Sequence, residues 1–154
     1  MMNSFAHFFI NFFLATLFFG DVKEYALVIL IASVIIDIDH IPYTIKNFNH
    51  MKKYGMDETI RTWLHEVPGV ILISTITMIS SFYVTNFIIL KLIYFSLMMH
   101  LIVDFLAGKS RPFYPFSSQV MVSPLGKTSR VGTLLYEVPI SVLGGIYFVS
   151  QVII

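Results

Sequence analysis

The sequence predicts an all-α, integral-membrane helical bundle of about five segments, and three observations carry that fold class. First, the chain of 154 residues is 56% hydrophobic and only 12% charged, with a mean hydropathy of +0.80. Soluble domains lie near half apolar and a quarter charged. Second, the apolar residues gather into five runs: Phe5–Phe19, Tyr25–Ile41, Val67–Val84, Phe87–Leu106 and Thr133–Ile154. Third, the cations fall almost wholly in two of the connections. Lys46, Lys52, Lys53, Arg61, Lys109, Arg111, Lys127 and Arg130 share one side if all five runs cross, against Lys23 and Lys91 on the other. That bias places the large loops, and the N-terminus with them, in the cytoplasm.

Each element has a local reason. The last three runs approach the roughly 20 residues that cross a hydrocarbon core. The first two are shorter and are expected to tilt, or to be half-embedded against the others. All are expected to be helices, because lipid offers no water to satisfy an open strand edge. The first run lacks a basic region before it, so it is expected to be retained rather than removed as a secretory signal. Gly20–Glu24 and Thr85–Asn86 are tight turns. Pro42–Glu66 is expected to be partly helical, with a turn or short helix at Met56–His65. Ala107–Gly132, rich in Gly, Pro and Ser, reads as an irregular loop. Residues 1–154 form a single membrane-embedded domain on this reading.

The composition also excludes. A net charge of +1 makes no case for a nucleic-acid partner. The absence of Cys removes disulfides and thiolate metal sites.

The ionisable residues of the apolar runs are unevenly placed. His7 opens the first; Asp37, Asp39 and His40 close the second; His65 precedes the third; His100 and Asp104 lie near the end of the fourth. All sit on the side assigned to the cytoplasm. Asp37, His100 and His7 are each roughly 18–20 Å from the other end of their helix, at 1.5 Å per residue. They therefore fall within the cytoplasmic leaflet of a core about 30 Å thick. A lone charge there costs at least about 2.5–3.5 kcal/mol. Several at one depth are economical only if they neutralise one another or hold a cation.

Spacing favours convergence. His100 and Asp104 are four apart on one helical face, and Asp37 and His40 are three apart. Asp39 points elsewhere unless the helix ends there, and Pro42 predicts that it does. Three or four imidazoles with two or three carboxylates suit a divalent metal: Zn²⁺ first, then Mn²⁺ or Fe²⁺, as one or two ions. The metal ligands expected are His7, Asp37, His40, His65, His100 and Asp104. Asp39 or Asp37 is the expected general base, or orients the attacking water. Arg61 is a candidate phosphate clamp, with Arg111, Lys127 or Arg130 near it. His50, in a basic loop, reads as surface. The alternative to a metal centre is a proton or ion pathway, or structural hydrogen bonding between helices.

Three other motifs fail. "HEVPG" at His65 lacks the second His of a zincin, since Gly69 stands there and Pro68 interrupts. "GKT" at Gly126 lacks a P-loop's first Gly, whose place Met121 holds. Ser117, Ser118 and Ser123 have no nucleophile elbow around them.

The ordered motifs resemble a known family, the YdjM-like inner-membrane proteins described as metal-dependent hydrolases. "SFAHFF" carries its early His as His7, and "IDIDH" its acidic motif, with Ile36 for Pro. "IRTWLH" matches a His-Arg-Gly-x-Thr-His motif, keeping Arg61 and His65 but with Ile60, Thr62 and Leu64 at the other positions. "HLIVD" supplies His100 and Asp104, and "RPFYPFS" follows. The resemblance covers about residues 1–119. It implies a metal-dependent hydrolase of the inner membrane with one family His missing at Ile60. A more distant likeness, to all-helical zinc phospholipase C and P1 nuclease, implies phosphoester cleavage. No His follows His100 here, so a third ion is not expected. The depth of the site points to the lipid bilayer as partner and to a lipid or lipid-linked phosphate as substrate. A non-catalytic metal-stabilised scaffold or small ion carrier is the competing reading.

Overall fold

The computed structural model describes residues 3–46, 62–107, 109–122 and 130–152. Among them are six α-helices: α1 (Ser4–Phe19), α2 (Ala26–Val34), α3 (His40–Lys46), α4 (Val67–Ser80), α5 (Phe87–Ala107) and α6 (Arg130–Val152). A two-residue hairpin pairs β1 (Lys109–Ser110) antiparallel to β2 (Met121–Val122). Met56–Arg61, where the sequence predicts a turn or short helix, lies outside the described residues.

Helix α1 starts where Asn3 accepts a hydrogen bond from the Ala6 amide, an N-cap that occupies one orphan donor. It ends at Gly20, whose φ of 81° is open to glycine and strained for other residues. The second apolar run does not make one helix. Helix α2 gives way to a 3₁₀ turn at Ile35–Asp39, and α3 follows directly. Sequence reasoning ends the helix before Pro42; instead Pro42 occupies the first turn of α3, where its missing N–H costs nothing.

The third run is also shorter than its apolar stretch. Helix α4 stops at Ser80, because bonds from Phe82 N to Ile79 O and Tyr83 N to Ser80 O tighten the chain into a turn. The Ser81 hydroxyl adds to this by donating to the Met78 carbonyl. Fourteen residues reach about 21 Å, less than a hydrocarbon core. Among the described residues, α5 is the helix long and apolar enough to cross a membrane, and only 28% of its most apolar window is buried. Leu143, Ile146, Ile71 and Met78 on α6 and α4 are likewise more than 60% exposed. Apolar surface on this scale marks contact with lipid or protein rather than water.

The core forms where α1 packs against α2, α5 and α6. Phe8, Phe12, Ala15, Val22, Ile29 and Leu92 fill it, with Phe95, Tyr147 and Phe148 packed against them. Phe148 meets Phe8 and Phe12 edge-on at 5.2 and 5.0 Å, a favoured aromatic geometry. This apolar plug occupies the middle of the bundle. The polar residues gather at one end, where α1 begins and α5 finishes.

Candidate metal centre

Four segments bring side chains to that end. Helix α1 contributes His7, and α5 contributes His100 and Asp104 one turn apart. The 3₁₀ turn after α2 contributes Asp37, and His40 follows it. With three residues per turn, a 3₁₀ segment eclipses positions three apart, so Asp37 and His40 face the same way. His65 arrives on a separate 3₁₀ turn, Trp63–His65, capped by Thr62. That turn is pressed onto the start of α4, where a Cβ at Gly69 would collide with the Leu64 carbonyl. It is also tied to the hairpin loop: Glu66 Oε1 accepts from the Arg111 amide at 2.7 Å, and Pro112 O accepts from Val67 N at 3.1 Å.

The ligand atoms form two trios that could hold a metal ion: His7, His100 and Asp104, and Asp37, His40 and His65. Within each, the ligand atoms lie within 4.8 Å of one another. Asp37 joins the trios, since its Oδ1 is 3.6 Å from His65 Nε2 and 3.4 Å from His100 Nε2. In the first trio His7 Nε2 is 3.2 Å from Asp104 Oδ1. The rings stack in pairs, His7 on His100 at 3.9 Å and His40 on His65 at 4.4 Å.

The alignment of these contacts fits a cation better than direct hydrogen bonds. His7 Nε2, His100 Nε2 and Asp37 Oδ1 are buried without an aligned hydrogen bond among the described residues, an arrangement that is costly unless something else satisfies them. Two donors on one tetrahedral ion at about 2.0–2.1 Å are about 3.3 Å apart. The separations of 3.2–3.6 Å are of that size. Nitrogen and carboxylate oxygen are also the donors that Zn²⁺, Mn²⁺ and Fe²⁺ accept. The residues present fit a divalent metal.

The remaining ligand atoms are oriented by other groups. His100 Nδ1 donates to the Ser33 carbonyl at 2.6 Å, which turns its Nε2 lone pair towards Asp37. Asp37 Oδ2 accepts from the Ser4 hydroxyl at 2.7 Å, leaving Oδ1 for the two imidazoles. Beneath them, Asn11 donates to Ser33 Oγ at 2.7 Å and to the Ser96 carbonyl at 2.9 Å, tying α1, α2 and α5 together. Asn11, Ser33 and Ser96 are fully buried. Each lies four residues from a member of the centre: Asn11 and Ser96 share a helix face with His7 and His100, and Ser33 lies in the last turn of α2, just before the turn that carries Asp37. Sequence reasoning misses this lower polar layer. Its signal was the i, i+4 spacing of a lone Asn or Ser inside each apolar run.

The structure thus brings His7, Asp37, His40, His65, His100 and Asp104 together. The side chain of Asp39 lies outside those described, as do Arg61, Lys127, His50 and the side chain of Arg130. Arg111 sits with its guanidinium carbon 4.5 Å over the Tyr114 ring, on the loop that docks against the His65 turn.

A family model described as YdjM inner membrane protein matches residues 2–151, nearly the whole chain. The chain belongs to that family. No curated protein and no solved structure matches it. Membership makes this an inner-membrane protein. The polar centre therefore sits at one end of a YdjM-family bundle whose outer faces are apolar.

Proposed function

We propose that the chain acts as one domain, a membrane-bound metal-dependent hydrolase that cleaves a phosphoester of a lipid or lipid-linked substrate. The observation that carries this reading is the convergence of four imidazoles and two carboxylates, from four segments, into two trios, with Asp37 of the second 3.4 Å from His100 of the first. A divalent ion held there, Zn²⁺ first among the candidates and one or two in number, would supply a bound water of pKa about 7 and a Lewis acid for a phosphoryl oxygen.

The two trios differ in access. His7, His100 and Asp104 are 0% exposed, whereas the Asp37 side chain is 16% exposed. Structural metal sites are closed and catalytic ones keep an open position. The His7 trio accordingly holds the helices in register, and the Asp37–His40–His65 side receives substrate. On that side Asp37 is the proposed general base or orients the attacking water, while its Oδ2 stays bonded to Ser4. Asp39 is the alternative base, and Arg61 the clamp for the substrate phosphate. The closure of the His7 trio also favours the second reading, a non-catalytic metal-stabilised scaffold.

Placing the large loops and the centre on the cytoplasmic side rests on the charge bias of eight cations against two. Single cysteines introduced into this Cys-free chain test it: labelling at Lys53 from the periplasm would overturn the orientation. Activity is tested with the detergent-purified chain reconstituted with Zn²⁺ or Mn²⁺ against phospholipid and soluble phosphodiester substrates. Turnover in wild type that is absent in Asp37→Ala supports the hydrolase. Stoichiometric metal with every phosphoester intact leaves the scaffold.

A further inference from the structure

Helices α1 and α6 run parallel, with Asn3 meeting Glu137 at the loop end and Phe13 meeting Tyr147 further along. Between them lies an open apolar cavity of about 330 Å³, lined by Phe9, Ile10, Phe13, Ile140, Leu143 and Tyr147. That volume is in the range of small-ligand sites. Phe9 packs directly on Gly144, where an added Cβ would come within 2.5 Å of Phe9 Cβ, so the two helices approach closely there.

The loop end of the same seam is polar. Glu137 is 7% exposed and buried in the seam. Its Oε2 accepts from Asn3 Nδ2 at 3.2 Å, while its Oε1 is buried with no hydrogen-bond partner among the described residues. The Tyr136 hydroxyl is likewise buried without a hydrogen-bond partner among the described residues. Tyr136 lies one turn before Ile140, on the face that lines the trough. A buried carboxylate oxygen lacking a donor is costly unless a ligand supplies one. The next residue after Asn3 is Ser4, whose hydroxyl holds Asp37 of the metal centre.

We propose that this seam binds one glycerophospholipid, with an acyl chain in the trough and a hydrogen-bond-donating headgroup at Glu137 and Tyr136. The lipid then enters beside Asp37, which makes the seam the substrate-binding part of the hydrolase proposed above, and the inference rests on that reading for its purpose but not for its geometry. The occupant is a lipid rather than a second copy of the chain because the seam ends in buried polar atoms, Glu137 Oε1 and the Tyr136 hydroxyl. An apolar helix face of another copy offers no donor for Glu137 Oε1. Headgroups with N–H or O–H donors, such as ethanolamine or glycerol, satisfy that oxygen. A choline headgroup has no donor and does not.

The test uses the full chain in phosphatidylcholine vesicles doped with a probe carrying a photoreactive acyl chain on either an ethanolamine or a choline headgroup. Crosslinks are mapped by mass spectrometry, and metal content is measured on the same samples. The ethanolamine probe is expected to label 9–13 and 140–147 about tenfold more than α4, a preference of about 1.4 kcal/mol. The choline probe is expected to label the seam and α4 alike. Glu137→Ala and, as a milder variant, Tyr136→Phe are expected to erase the headgroup preference, and Ile140→Trp to empty the trough of both probes. Equal labelling of seam and α4 by both probes, or crosslinks from the seam to a second copy, overturns the proposal. A labelled seam in a metal-free protein removes the hydrolase and keeps the lipid site; bound metal with an unlabelled seam removes the lipid site alone.

Discussion

Replacing Asn11 by alanine removes two buried hydrogen bonds from the layer beneath the metal centre. Asn11 Nδ2 holds Ser33 Oγ at 2.7 Å and the Ser96 carbonyl at 2.9 Å. Interhelical side-chain hydrogen bonds in membranes contribute about 0.6 kcal/mol on average and up to about 1.7, so the pair accounts for about 1–3 kcal/mol of stability. The consequence for the centre is separate. Ser33 also presents the carbonyl that accepts from His100 Nδ1. Without Asn11, Ser33 keeps its bond to the Ile29 carbonyl, so α2 persists, but its position against α5 loosens and the His100 ring with it. Losing a group that orients a metal-ligating His costs roughly 10–100-fold in metal affinity. The assay is Zn²⁺ competition against a chelating dye, run beside thermal unfolding of the metal-free protein in the same detergent. The expected result is both losses together. Lower stability with unchanged Zn²⁺ affinity would refute the claim that Asn11 acts on the centre through Ser33.

Three further outcomes follow from the same geometry. Asp37→Asn removes the only carboxylate of the Asp37–His40–His65 trio while leaving Asp104 to the other; metal analysis is expected to show the His7 trio still loaded and the open side empty, and full loading of both would contradict Asp37 as a ligand. Gly69→Ala drives a Cβ into the Leu64 carbonyl; overpacking of this kind costs about 1–3 kcal/mol, and thermal unfolding should show that loss together with metal lost from the His65 side alone. Imidazoles bind metal only when neutral, so protons compete with the ion and acid favours the metal-free form: retained metal after dialysis is expected to fall as pH drops from about 7 to about 5. Full retention at pH 4 would mean that histidines are not the ligands.

Much of the centre was legible because lipid makes isolated charge expensive. His7, Asp37, His100 and Asp104 stand out in runs otherwise apolar, and the similar distances of His7, Asp37 and His100 from the far ends of their helices predict a common level. The same logic fails for element boundaries. The second run reads as one continuous helix, but its change to a 3₁₀ turn at Ile35–Asp39 is set by packing and by the bonds its polar residues make, which hydropathy does not register. The lower layer was hidden because Asn11, Ser33 and Ser96 carry no charge, and a Ser in an apolar helix usually bonds its own backbone, as Ser33 does to Ile29. Glu137 was hidden differently. It is the one acid of the last run, but its partner Asn3 lies 134 residues away, and only the packing of α6 on α1 brings them together.

The central claim is that six side chains on four segments hold a divalent ion in an inner-membrane bundle. Metal analysis of the detergent-purified chain tests it most directly, with wild type beside His100→Ala and Asp104→Ala. One or two equivalents of Zn²⁺, Mn²⁺ or Fe²⁺ per chain in wild type, reduced in both variants while each remains helical, is the result the geometry predicts. A folded wild-type protein that binds none of these ions at micromolar concentration would contradict it.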